Sequence, residues 1–245
     1  MMARLHIHLP ADMDHKKQLL AAVHTVYSRW VERFPLACQK GCAACCTGSV
    51  TMTSLEGEVI LDFINKNNRG KWLLHKLAKT APGKSKAAIT LNQYAAACLK
   101  HQEVGEAALG SWDFTPCVFL DENMCSLYEV RPFDCRSFGS LVRCGVDEAA
   151  EIAPMHLTVN TVFTQIIEHL SSDGGYWSNM TDILHSLSCC GTRNRKIHYL
   201  PARPVPGFLL ESHEVHEIHD LLQQLREQSP AKGILCDLID KFMPI

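Results

Sequence analysis

Four thiols fall within nine residues, in Cys38-Gln-Lys-Gly-Cys42-Ala-Ala-Cys45-Cys46. Three more follow at Cys117, Cys125 and Cys135. Thiolate suits soft or borderline ions: zinc, copper(I) or the irons of a cluster. Steps of two to four residues let one loop wrap a metal with its amides turned inward. Gly41, Ala43 and Ala44 leave the backbone room to approach. The rest of the chain reads as a scaffold that brings the two cysteine arms together. The bland alternative is that Cys42, Cys45 and Cys46 are buried thiols, which behave as small hydrophobes.

Twelve Cys in 245 residues is about 5%, below the density of a disulfide scaffold. Residues 1–17 contain no apolar core and no small-residue cleavage site of a secretory signal. The expectation is a cytoplasmic, reducing setting in which thiols stay free or bind metal. No run approaches 18 apolar residues, so no membrane span is expected. The net charge of −2 indicates neither a general nucleic-acid partner nor an acidic membrane surface.

Around the cysteines the pattern is helical. Leu19, Leu20, Val23, Val26, Tyr27, Trp30 and Val31 predict an amphipathic helix over 13–34, stopped by Pro35. Residues 49–53 are short and β-branched. Thr53-Ser-Leu-Glu56 is a capping box for a helix that ends near Asn67 to Gly70. Further helices are expected over 72–79, 90–109, 157–170, 181–188 (capped by Thr181), 211–228 and 232–242. Pro82 and Gly83 mark a loop, and Gly110 to Pro116 a break. Residues 117–128 suggest a tight hairpin with a cysteine on each arm. Strand–helix alternation is absent. The expected fold is therefore mainly α, one metal-organised domain with a small irregular, hairpin-containing cysteine-rich centre. Residues 1–36 would lead into the core, 37–145 would form the cysteine-cluster domain, and 146–245 a helical extension packed on it.

Seven thiols exceed the four that one zinc or one four-iron cluster takes. Either some lie beside the metal, or there are two metals. In an extended backbone the side chains of Cys45 and Cys46 would diverge, which favours Cys45 as the ligand. The spacing Cys38-x3-Cys42-x2-Cys45 also occurs in radical S-adenosylmethionine enzymes, but those set it after the first strand of a barrel, and no barrel is expected here. Arg131 and Arg136 are candidates to donate to cluster sulfurs or to bind an anionic substrate. Their plain alternative is a salt bridge to Glu56, Glu129 or Asp134. Weaker candidates are Cys144 as a spare ligand and Cys189-Cys190 as extra thiols or a redox pair. His213, His216 and His219 read better as a solvated face, and His6 and His8 as part of a half-buried strand. His15 and His24 read as solvated or core, and Cys98 and Cys236 as core.

Several motifs together resemble a known family. Cys38-x3-Cys42-x2-Cys45-Cys46, the Thr53-x-x-Glu56 helix start, Pro116-Cys117-x-Phe119-Leu120, Cys125, Tyr128-Glu129-x-Arg131-Pro132 and Cys135-Arg136 are similar to the YkgJ-like cysteine-cluster proteins. These carry a zinc- or iron-chelating domain, and the resemblance spans Cys38 to Arg136. One relative of that domain, flagellin lysine methylase, is associated with a four-iron cluster and methyl transfer to lysine. The resemblance thus implies an iron–sulfur ([4Fe-4S]) centre used for redox or group-transfer chemistry on a small-molecule or protein substrate. It does not carry over methylase activity, since no methyl-donor pocket motif is present. The alternatives are a structural Zn2+ module in an interaction protein and a metal carrier.

Overall fold

The computed structural model describes residues 11–81, 88–105, 113–145, 149–188, 197–229 and 233–242. The expected loop at Pro82-Gly83, residues 110–112 of the break before Pro116, His6, His8, Cys189 and Cys190 lie outside the described residues. The architecture is mainly helical with small antiparallel sheets. Among the described residues no helix is long and apolar enough to cross a membrane.

Helix α1 (Ala11–Val31) opens on Asp12 and Asp14, which complement the positive end of the helix dipole. Its apolar stripe is buried: Leu20, Val23, Val26 and Tyr27 are each 1% exposed or less. Strand β1 (Thr51–Thr53) feeds directly into α2 (Ser54–Lys66). The capping box forms as expected: the Thr53 hydroxyl accepts from the Glu56 amide, and the Thr53 amide donates to the Glu56 carboxylate at 2.8 Å. Asn68 ends α2 in the left-handed region at φ 53°, with the Arg69 amide closing back onto the Ile64 carbonyl.

Helix α3 (Gly70–Leu77) starts two residues before the expected one. Helix α4 (Leu91–Leu99) is half the expected length, because His101 turns left-handed and Gln102 bonds back to the Ala97 carbonyl. The hairpin is β2 (Leu120–Asp121) and β3 (Met124–Cys125), with Glu122 and Asn123 both at positive φ. Cys125 sits on an arm. Cys117 instead precedes β2, its carbonyl accepting from the Leu120 amide. A single 3-10 turn, Tyr128–Val130, leads through Arg131-Pro132 into α5 (Phe133–Ser137), and α6 (Pro154–Leu170) begins with proline in its first turn.

Strand β4 (Tyr176–Asn179) and strand β5 (Leu200–Pro201) were not anticipated. They pair with β1 in the order β1-β4-β5. Each is too short to carry a period of two, so only pairing defines it. The cap of α7 (Met180–Leu187) is Asn179, which accepts from the Thr181 amide, rather than Thr181. Helix α8 (Val215–Gln228) starts four residues late, because Glu211 and Glu214 close a turn on each other. Helix α9 (Ile234–Phe242) ends the described chain.

Two apolar clusters share α2 as their wall. The first joins α1, α6, α8 and α9, with Leu55 and Phe133 added from the cysteine side. The second gathers Ile60 and Ile64 of α2 with Leu73, Phe119, Leu127 and Ile183. Each fully buried Leu, Ile or Phe contributes about 1.5–3 kcal/mol relative to exposure. Phe133 and Phe119 therefore anchor the segments that carry Cys135 and Cys117 into two different cores.

Candidate metal centre

The cysteine loop follows α1 and is held by backbone bonds from elsewhere in the chain. The Ala37 amide donates to the Ser140 carbonyl at 2.8 Å, and the Ser140 amide donates to Cys38 Sγ at 3.3 Å. Gly41 takes φ +94°, a left-handed conformation that disfavours side chains. The Cys42 amide closes onto the Gln39 carbonyl, and the Cys46 amide onto the Ala43 carbonyl. The Cys117 amide then donates to the Cys46 carbonyl at 3.0 Å, and Thr47 bridges Pro116. On the hairpin, Cys125 pairs with Leu120, three residues after Cys117.

These contacts sort the thiols into two sets. Cys38 lies within electrostatic reach of Cys42, Cys45 and Cys144. Cys46 lies within reach of Cys117, Cys125 and Cys135. Cys45 and Cys46 join the sets, because the Cys45 thiol hydrogen-bonds Cys46. The backbone at residues 44–45 is a turn rather than extended, and the two neighbouring thiols fall one in each set. The seven expected cysteines, with the spare-ligand candidate Cys144, thus fall into two sets within electrostatic reach. All ten described cysteines carry free thiols, with Cys42 and Cys45 exposed and the others part-buried. Among the described residues, no three His, Cys, Asp or Glu side chains are drawn tightly enough to hold a single ion.

The electrostatics follow from burial and crowding of the thiols, opposed in part by Arg131 and Lys76. Donation to Cys46 pushes the Cys45 thiol far up, and the same bond holds Cys46 below its ordinary value. Burial pushes Cys117 and, more strongly, Cys135 up, with neighbouring thiols adding to it. Burial also raises Cys38, against the Ser140 amide.

Glu56 does more than cap its helix. It is 4% exposed, and its second oxygen accepts the Phe133 amide at 2.7 Å, tying α2 to the start of α5 and hence to Cys135. Burial raises its carboxyl, while the Phe133 and Thr53 donors pull it back. Asp134 accepts from the Thr51 amide at 2.9 Å, which ties α5 to β1.

The two arginines do not make the salt bridges that were their plain alternative. Arg136 donates to the Arg131 and Glu129 carbonyls at 2.9 and 2.7 Å. Arg131 lies over the Tyr128 ring at 4.1 Å, and its Nε is buried with no partner. Tyr128 therefore has a supporting role, with Lys40 also 5.7 Å from its ring centre. His24 is a core histidine. It stacks on Phe133 at 6.2 Å, and its buried Nε2 has no partner. Desolvation, then Arg136 and Arg131, lower it to about 3.

Sequence reasoning missed Ser140, whose amide meets Cys38, and gave His24 no role at the centre. Neither carries a local motif, so only the fold could find them. His213, His216 and His219 are exposed, with distances of 3.4–3.8 Å to Glu211 or Asp220, as a solvated face would be. Cys98 and Cys236 are part-buried on α4 and α9. No family model, curated protein or solved structure matches the chain, so the family resemblance rests on its motifs alone.

Proposed function

We propose that this chain is an iron–sulfur protein whose cysteines hold a [4Fe-4S] centre for redox or group-transfer chemistry. The observation that carries the reading is the convergence of eight thiols from four separate stretches: 38–46, 117–125, Cys135 and Cys144. The donor set is all sulfur, the set that iron–sulfur clusters take. One zinc bound at about 2.3 Å would draw its thiolates to about 3.8 Å of one another. A cluster spreads its ligands over several irons, and the choice of a cluster over zinc rests on the family resemblance. Cys46, Cys117, Cys125 and Cys135 would hold one centre, and Cys38, Cys42, Cys45 and Cys144 a second. When bound, a cluster supplies an electron-transfer group or, with one iron short of a thiolate, a position for substrate. The chain's own part is to fix the sulfurs. The Ser140 amide donates to Cys38, and the Glu56–Phe133 bond anchors the helix of Cys135.

A second reading is two structural zinc ions, because each set has the four thiolates such a site takes. A metal carrier is the third, favoured by the exposure of Cys42 and Cys45. Absorption and metal analysis of protein purified without oxygen separate them. Broad absorption near 400 nm with about four irons and four sulfides per loaded set supports the cluster. A colourless protein with one or two zinc ions would sink it. Among zinc proteins, rapid loss to a chelator without unfolding identifies the carrier.

A further inference from the structure

We propose that Arg131, backed by Arg136, forms a binding position for an oxyanion, the carboxylate or phosphate group of a small-molecule ligand, at the edge of the cysteine centre. The inference takes only its location from the iron–sulfur reading.

The argument starts from what Arg131 lacks. A guanidinium presents five N–H donors in a rigid fork that matches a carboxylate or phosphate. Arg131 Nε is buried and meets no acceptor. An unmet buried donor costs about 1–3 kcal/mol, and more when charged. The carboxylates that might have met it are engaged elsewhere. Glu56 accepts from Thr53 and Phe133, and Asp134 accepts from Thr51, while Arg136 takes the backbone carbonyl of Glu129. Among the described residues neither arginine has an ion pair.

The fork is also fixed before any ligand arrives. Arg131 stacks on Tyr128 at 4.1 Å, and its carbonyl is held by Arg136 Nε at 2.9 Å. Proline follows it, which restricts its backbone to the observed φ −56°, ψ 142°. A group held in one rotamer loses little entropy on binding.

The charge balance points the same way. The two arginines lie within electrostatic reach of each other, an interaction that Glu56 beside Arg136 offsets in part, and His24 beside them is held neutral by burial. His24 also contributes a second orphaned polar atom, Nε2. An entering oxyanion would relieve the repulsion and satisfy the orphaned donor together. Arg131 is also within electrostatic reach of Cys45 and Cys135, so the bound group would sit next to the thiols.

The test is calorimetric titration of the purified, metal-containing protein with inorganic phosphate and, separately, with acetate. Arg131→Gln, Arg131→Lys and Arg33→Gln are run alongside, the last because Arg33 already has an ion-pair partner in Glu217 of α8. Metal per chain is measured in every sample. The expected result is saturable binding of at least one anion, weakened tenfold or more in Arg131→Gln at unchanged metal content. Arg131→Lys should be intermediate and Arg33→Gln unchanged. Stronger binding of phosphate or of acetate names the source of the oxyanion. No saturable binding of either anion overturns the proposal, as does binding that Arg131→Gln and Arg131→Lys leave intact. Altered metal content or absorption in Arg131→Gln with anion binding retained would assign Arg131 to the thiols instead, and also overturns it. Absence of metal from the wild type would remove the cluster reading while the anion titration still decides this one.

Discussion

Replacing Glu56 tests how the cysteine segments are held. The carboxylate takes three donors: the Thr53 amide at 2.8 Å, the Thr53 hydroxyl at 3.0 Å and the Phe133 amide at 2.7 Å. Glu56→Ala leaves two backbone amides without acceptors in a buried setting, at about 1–3 kcal/mol each. It also removes half of the capping box and opens a cavity. The expected loss is about 3–5 kcal/mol. Glu56→Gln fills the same volume but keeps one acceptor oxygen. Its amide nitrogen must face either the Thr53 or the Phe133 donor, so one bond set is lost, for about 1–3 kcal/mol. Urea denaturation reads both as shifts in midpoint at constant slope. The double variant with Thr53→Ala apportions cap from bridge. If the bridge breaks in Glu56→Gln, the start of α5 loosens, and metal retained per chain should fall with stability. A loss below about 1 kcal/mol for Glu56→Ala, or Gln equal to wild type, would refute the reasoning.

Three further outcomes are expected. His24 is neutral in the fold with its value lowered from 6.5 to about 3, so the unfolded chain takes up the proton first as pH falls below about 6.5. Stability should therefore decline from there down toward pH 3; between pH 7 and 5 His24→Phe should lose about 2 kcal/mol less than wild type, and parallel stability curves would exclude this. Gly57→Ala should destabilise by about 1–2 kcal/mol: its methyl would lie 2.5 Å from Ile183 and 2.7 Å from Leu187, which outweighs the helix-propensity gain, and a stabilised protein would contradict the close α2–α7 packing. Tyr27→Phe removes a hydroxyl that bonds Asn160 at 2.8 Å and His156 at 2.9 Å, for about 1–2 kcal/mol in thermal or urea unfolding; no change would mean the network is not formed in solution.

Local chemistry was legible in the sequence. The 3.6-residue stripe of α1 and the Thr53–Glu56 box are fixed by side chains a few residues apart, and both appear where the periodicity and spacing put them. Tertiary structure decided what depends on distant partners. Strands β4 and β5 exist only by pairing with β1, and α4 stops early through a left-handed turn at His101. The Ser140 amide brings the later chain, with Cys144, to Cys38. Arg131 and Arg136 were ambiguous in the sequence because salt bridge and free guanidinium need the same residues. The fold resolved them by giving Glu56 and Asp134 backbone amides as partners and Arg136 the backbone carbonyls of Glu129 and Arg131. Periodicity and capping act within one turn of chain and can be read from it; which donor is left unmet depends on groups 80 or more residues apart, such as Thr51 and Asp134, and only their meeting in space determines it.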